Sequence, residues 1–96
     1  MKLNIELKDM NYSERPFKTD YVENISSTYE HVFKSGHRLS IYTLADNSWW
    51  MGSFYAPNGK SGDLPTRRTP EEVFNYFKDL FEKNDVRKEL INGFEE

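Results

Sequence analysis

Histidine is the one side chain whose ordinary titration falls in the physiological range, and the chain has two, His31 and His37. They lack the i, i+4 spacing that puts two imidazoles on one helix face. The absence of cysteine removes thiolate ligands and thiolate nucleophiles as well. Asn58-Gly59-Lys60-Ser61-Gly62 contains a Gly-Lys-Ser, but a phosphate-binding P-loop needs a further glycine where Phe54 stands. It also needs a helix directly afterwards, where this chain has Asp63 and Pro65. The carboxylate pairs Glu71-Glu72 and Glu95-Glu96 belong to a helix start and an acidic tail, not to an apolar setting that would raise a carboxyl for proton transfer. No serine sits in a nucleophile-elbow sequence. These residues predict no enzyme, no metal site and no cofactor. His31, between Tyr29 and Phe33, is the candidate for a pH-sensitive contact.

Three basic residues, Lys60, Arg67 and Arg68, are candidate contacts for an anion or a nucleic acid. Residues 57–68 carry a net +2, whereas residues 69–96 carry −4 and the whole chain −3. A duplex-DNA binder draws its affinity from neutralising phosphates and usually has the opposite sign. Basic residues interleaved with aromatic ones suit a single strand better, because charge follows the backbone while rings stack on bases. Aromatic residues are plentiful here, with seven Phe, six Tyr and two Trp.

The elements that position these residues read as follows. Leu3, Ile5 and Leu7 alternate with polar residues, the period of a half-buried strand. Residues 9–20 lose that period and read as a loop. Residues 20–36 admit two readings. Val22, Ile25, Tyr29, Val32 and Phe33 fit a helical stripe that Asp20 and Glu23 would cap, but Asn24-Ile25-Ser26-Ser27-Thr28 is a poor helix interior. The preferred reading is a strand over 28–34, a two-residue turn at Ser35-Gly36 and a second strand over 38–44. Asp46-Asn47 then marks a turn, 48–55 a strand and 57–65 a loop. Thr69-Pro70-Glu71-Glu72 is the sharpest local signal: N-cap, proline at the first helical position and the capping-box acid. The helix runs to about residue 84 with Val73, Phe74, Phe77, Leu80 and Phe81 on one face, and Asp85 caps a short second helix. The glycine-bearing loop at Gly59-Lys60 and the helix start at 69–72 resemble parts of the single-strand-binding transcriptional coactivators, from which the acidic net charge separates this chain.

The expected fold is α+β: a small antiparallel β-sheet of three to four strands followed by one or two C-terminal helices packed on one face, with residues 1–96 forming one domain. With two-residue turns, Val32, Leu39, Ile41, Thr43, Trp50, Gly52 and Phe54 share the face under the helix. The other face collects Tyr29, His31, Phe33, Arg38, Ser40, Tyr42, Leu44, Trp49, Met51, Ser53 and Tyr55, with His31 and His37 on opposite faces. An aromatic sheet face with an arginine is the composition of an interaction surface. The function this predicts is a non-catalytic small binding protein (an inhibitor, immunity or accessory factor) engaging a protein partner through Tyr29, His31, Phe33, Arg38, Tyr42, Trp49, Met51 and Tyr55. The alternative is a single-stranded nucleic-acid-binding domain using that face with Lys60, Arg67 and Arg68. Burial of the face in a homodimer is a further way to cover it. No apolar run approaches the ~18 residues of a membrane span, and with no secretory leader and no cysteine the expected location is cytoplasmic.

Overall fold

The computed structural model describes residues 2–18, 23–43 and 48–96; Asp20, Val22, Leu44 and the Asp46-Asn47 turn lie outside them. Five strands follow one another: β1 (Asn11–Lys18), β2 (Glu23–Val32), β3 (Arg38–Thr43), β4 (Trp50–Tyr55) and β5 (Ser61–Arg67). They form one antiparallel sheet in chain order, and α1 (Pro70–Glu82) and α2 (Lys88–Ile91) come after it. The arrangement is α+β, as the sequence predicts, with five strands in place of three or four.

Helix α1 forms where its start signal places it. Thr69 is extended and its Oγ1 accepts from the Glu72 N–H at 3.2 Å, with Pro70 leading the first turn. Its apolar stripe, Val73, Phe74, Phe77 and Phe81, is buried against Leu39, Ile41, Phe54 and Leu64 of the sheet. The helix ends at Glu82, and Asn84 adopts the left-handed conformation at φ 57°. Asp85 does not cap α2: its N–H bonds back to the Leu80 carbonyl, and Arg87 occupies the N-cap position.

Two expectations about the first twenty residues are corrected. Leu3, Ile5 and Leu7 pack against the core, yet they pair with no strand; the segment ends in a 3-10 turn at Leu7–Asp9. The Leu3 N–H donates to Glu82 Oε2 at 3.1 Å, and Lys78 pairs with Glu6 at 3.2 Å, so this segment lies along α1. Alternation reported a buried side here, not a strand partner. Residues 11–18, read as loop, form the edge strand β1, whose residues 11–16 are all exposed. Residues 57–65, read as loop, hold only a turn before β5 begins at Ser61, with Pro65 on that edge strand, where a missing N–H costs no ladder bond.

The consequential correction concerns β2, which is a strand from Glu23, earlier than the predicted start at Thr28. Its turn into β3 has three residues, Lys34-Ser35-Gly36. The Phe33 N–H donates to the His37 carbonyl at 2.8 Å, the Gly36 N–H donates to Phe33 at 2.9 Å, and Gly36 takes φ 91°. Pro57-Asn58-Gly59 repeats this loop between β4 and β5: Ala56 N–H to Lys60 at 2.9 Å, Gly59 N–H to Ala56 at 3.1 Å, Gly59 at φ 88°. Both are three-residue hairpin loops closed by a left-handed glycine. The extra residue in the first loop slips β2 by one and exchanges its faces.

Candidate functional site

With β2 slipped, the face opposite α1 is defined by cross-strand rows. Val32, Arg38, Tyr55 and Ser61 form one row; Asn11, Glu30, Ser40, Ser53 and Asp63 the next; Ser13, Thr28, Tyr42 and Met51 the third. Among the described residues no helix lies over these rows, since α1 packs on the other side. Ser40 and Ser53 are nearly inaccessible because larger neighbours shade them, so the middle row is a polar trough between two ridges. Tyr55 and Arg38 make one ridge, with the guanidinium 4.4 Å from the ring centroid; Tyr42 and Met51 make the other. Arg38 also faces Glu30 at 3.8 Å, and Ser53 Oγ donates to Asp63 at 3.0 Å.

Of the eight residues predicted to bind a partner, this face brings together Arg38, Tyr42, Met51 and Tyr55. Tyr29, His31 and Phe33 are on the helix side. Phe33 is 2% exposed, with its ring 4.8 Å from Phe94 and 4.6 Å from His31. Tyr29 lies between Tyr12 and Trp50 at 4.8 and 5.8 Å. Val32, expected in the core, is 60% exposed on the open face. Trp49 is exposed at the start of β4 under the Arg68 guanidinium at 4.7 Å. Ser40 and Ser53 are on this face as expected; Glu30 and Asp63 were missed. The three-residue loop at Lys34–Gly36 is what places Glu30 here, and its single glycine fits a two-residue turn equally well.

The three basic candidates do not form one patch. Lys60 and Arg67 stand at opposite ends of β5, roughly 20 Å apart at the usual rise per residue. Lys60 Nζ is 3.5 Å from Glu89, its N–H donates to Asn58 Oδ1 and the Gly59 N–H donates to Ala56, so the first two amides of Gly-Lys-Ser are spent internally. Arg67 lies over Tyr76 at 5.5 Å. No group of three or more His, Asp or Glu side chains converges among the described residues, and no described helix is long and apolar enough to cross a membrane.

His37 is on the same side of the sheet as His31, not opposite it. It is 1% exposed, stacked on Phe54 at 5.6 Å and edge-on to Phe94 at 5.4 Å. Nδ1 meets Ser35 Oγ at 2.7 Å, while Nε2 has no hydrogen-bond partner. Burial holds the imidazole below its ordinary value near 6.5; the Leu90 backbone pulls weakly the other way without a bond of ordinary geometry. The unfolded chain therefore takes up this proton first. Stability is full above the unfolded value and falls as pH drops from there toward the lower folded value. Urea midpoints measured from pH 7.5 to 5.0 should decline more steeply for the native chain than for His37→Gln. Equal slopes would show that His37 carries no linkage.

The chain matches no family model, no curated protein and no solved structure.

Proposed function

We propose that this chain is a non-catalytic binding protein that engages a protein partner through the open sheet face, as an inhibitor, immunity or accessory factor does. The observation that supports this reading is the pair of ridges, Arg38–Tyr55 and Tyr42–Met51, on a face no described helix covers. Tyr and Arg are the residue types that carry interface energy, and a rigid strand holds them at little entropic cost. A single-stranded nucleic acid is the weaker reading. Arg38, the arginine on the ridges, is already engaged by Glu30 and Tyr55, and Lys60 is held by Glu89. Each cation has a carboxylate of this chain beside it, which lowers the positive potential offered to a phosphate backbone.

The test is photocrosslinking in a host lysate from a benzoylphenylalanine placed at Tyr42, with Asn75 on the exposed side of α1 as control. A protein adduct from position 42 alone is expected. Tyr42→Ala and Tyr55→Ala should each weaken capture of that protein by about 2 kcal/mol with circular dichroism unchanged. Equal adducts from both positions would reject the face. Quenching of Trp49 and Trp50 by an oligonucleotide, saturating at low salt and lost at high salt, would establish the nucleic-acid reading instead.

A further inference from the structure

A second site lies at the other edge of the sheet from β1. Between β5 and the end of α1 there is a cleft of about 310 Å³, with Phe54, Leu64, Phe77, Leu80, Val86 and Leu90 as its apolar lining. Its floor reaches rings that are otherwise fully buried, Phe54 and Phe77, 4.9 Å apart. Gly62 on β5 also faces it; a Cβ there would come 2.9 Å from Leu90 Cδ1. The size suits one large apolar side chain.

The strand beside the cleft has unused backbone. Ala56 and Lys60 share a ladder bond, so the alternation of an antiparallel pair turns Gly62 toward β4 and Ser61 and Asp63 outward. The Ser61 carbonyl is met only by Arg87 Nη2 at 3.3 Å, and that guanidinium also faces Glu89 at 3.3 Å. No protein group meets the Asp63 N–H or carbonyl among the described residues. An added strand here would put alternate side chains on opposite faces. One would enter the cleft, and its neighbours would emerge on the open face beside Asp63, whose carboxylate has no ion-pair partner among the described residues. At the cleft mouth, near Arg87, Asp85 is likewise without an ion pair among the described residues; Lys83, which also feels its charge, is paired with Asp79 at 3.0 Å.

We infer that the β5 edge and its cleft bind an extended peptide segment carrying one aromatic or branched apolar side chain flanked by lysine or arginine. The occupant is set by three features together: outward backbone for pairing, an apolar hole of side-chain size, and the Asp63 carboxylate on the face where the flanking side chains emerge, with Asp85 at the cleft mouth. Pro65 limits the added strand to the Ser61–Leu64 end. This site shares Ser61 and Asp63 with the rim of the open face, but Tyr42 and Tyr55 are not among the residues that line its cleft.

The probe is acetyl-Val-Lys-Phe-Lys-Val-amide, titrated into the ¹⁵N-labelled full chain. Saturable amide shifts are expected at Ser61–Leu64, Leu80 and Val86. Replacing both probe lysines by glutamate should weaken binding about tenfold. N-methylation should weaken it by at least as much at the amides that face β5, which are those of the lysines in an antiparallel pairing and that of the phenylalanine in a parallel one. Asp63→Asn, at an exposed position, should weaken the lysine probe and not the glutamate one. No shift at millimolar probe overturns the proposal. So does equal binding of both the lysine- and the phenylalanine-N-methylated peptides, which would make the site a simple apolar hole. Shifts confined to Tyr42 and Tyr55 would also overturn it, by moving the peptide to the open face.

Discussion

Phe77→Ala should lower the free energy of unfolding by about 3–5 kcal/mol. The ring is 1% exposed at the centre of a chain of aromatic contacts, 4.9 Å from Phe54 and 5.9 Å from Phe81. Phe54 in turn touches Phe33, His37 and Phe94, and Phe81 touches Phe94 at 4.8 Å. Leu and Met side chains fill a neighbouring hole by changing rotamer; flat rings held on several sides do not, so the lost volume stays as a cavity. That hole would open into the cleft beside β5, which Phe77 lines. Domains of this size have a total stability of about 5–15 kcal/mol, so the loss is a large part of the whole. Urea unfolding should show a lower midpoint at unchanged slope. Tyr76→Ala is the internal control: it removes an exposed ring whose described partner is Arg67 at 5.5 Å, and it should cost no more than about 1 kcal/mol. If the two losses were similar, α1 would not be docked by the Phe77 face.

The contrast between these neighbours also shows what was readable beforehand. Helix α1 was legible because its signals agree: a capping threonine, a proline that fits the first turn and apolar residues on one side. The β3–β4 register was legible for a similar reason. Leu39, Ile41 and Thr43 alternate with polar residues, and they do pair with Phe54, Gly52 and Trp50. The two edge strands were not. Residues 11–18 and 61–67 each contain a proline and charged residues, and edge strands tolerate both because one side of their ladder is unused. Composition that protects an edge from unwanted pairing is the composition that reads as loop.

The binding face failed at a smaller point with a larger effect. Whether Ser35-Gly36 or Lys34-Ser35-Gly36 makes the turn is a difference of one residue, and both loop lengths accept a glycine. Strand periodicity of two turns that single residue into a complete exchange of β2's faces. Tyr29, His31 and Phe33 went to the covered side, and Glu30 and Val32 came out. The exchange changes the chemistry of the face from aromatic and basic to amphipathic and nearly neutral, and it removes the main support for a nucleic acid. His37 is buried in either register: as the first residue after the loop it shares the side of Leu39 and Ile41, and Phe54 and Phe94 close over it.

Gly52→Ala should destabilise the chain by about 1–3 kcal/mol, although alanine suits a strand better than glycine does. Relieving the unfolded-state entropy of glycine is worth about 0.4–1 kcal/mol in favour of the substitution, so the sign of the result measures the contacts around residue 52. A Cβ there would lie 2.6 Å from the Ser40 carbonyl oxygen, 3.2 Å from Leu64 Cδ1 and 3.3 Å from Val73 Cγ1. The two side-chain atoms can yield. The carbonyl cannot, because it belongs to β3 in the middle of the sheet, and β3 cannot retreat without disturbing its pairing with β2. Gly62→Ala is the useful comparison. Its Cβ would meet Leu90 Cδ1 at 2.9 Å, the far end of a flexible side chain on a four-residue helix that can shift. The structure therefore ranks the two substitutions, with Gly52→Ala the more damaging in urea or thermal unfolding. A neutral or stabilising Gly52→Ala would mean that α1 and β3 stand further from β4 than the packing of Val73 and Ser40 requires.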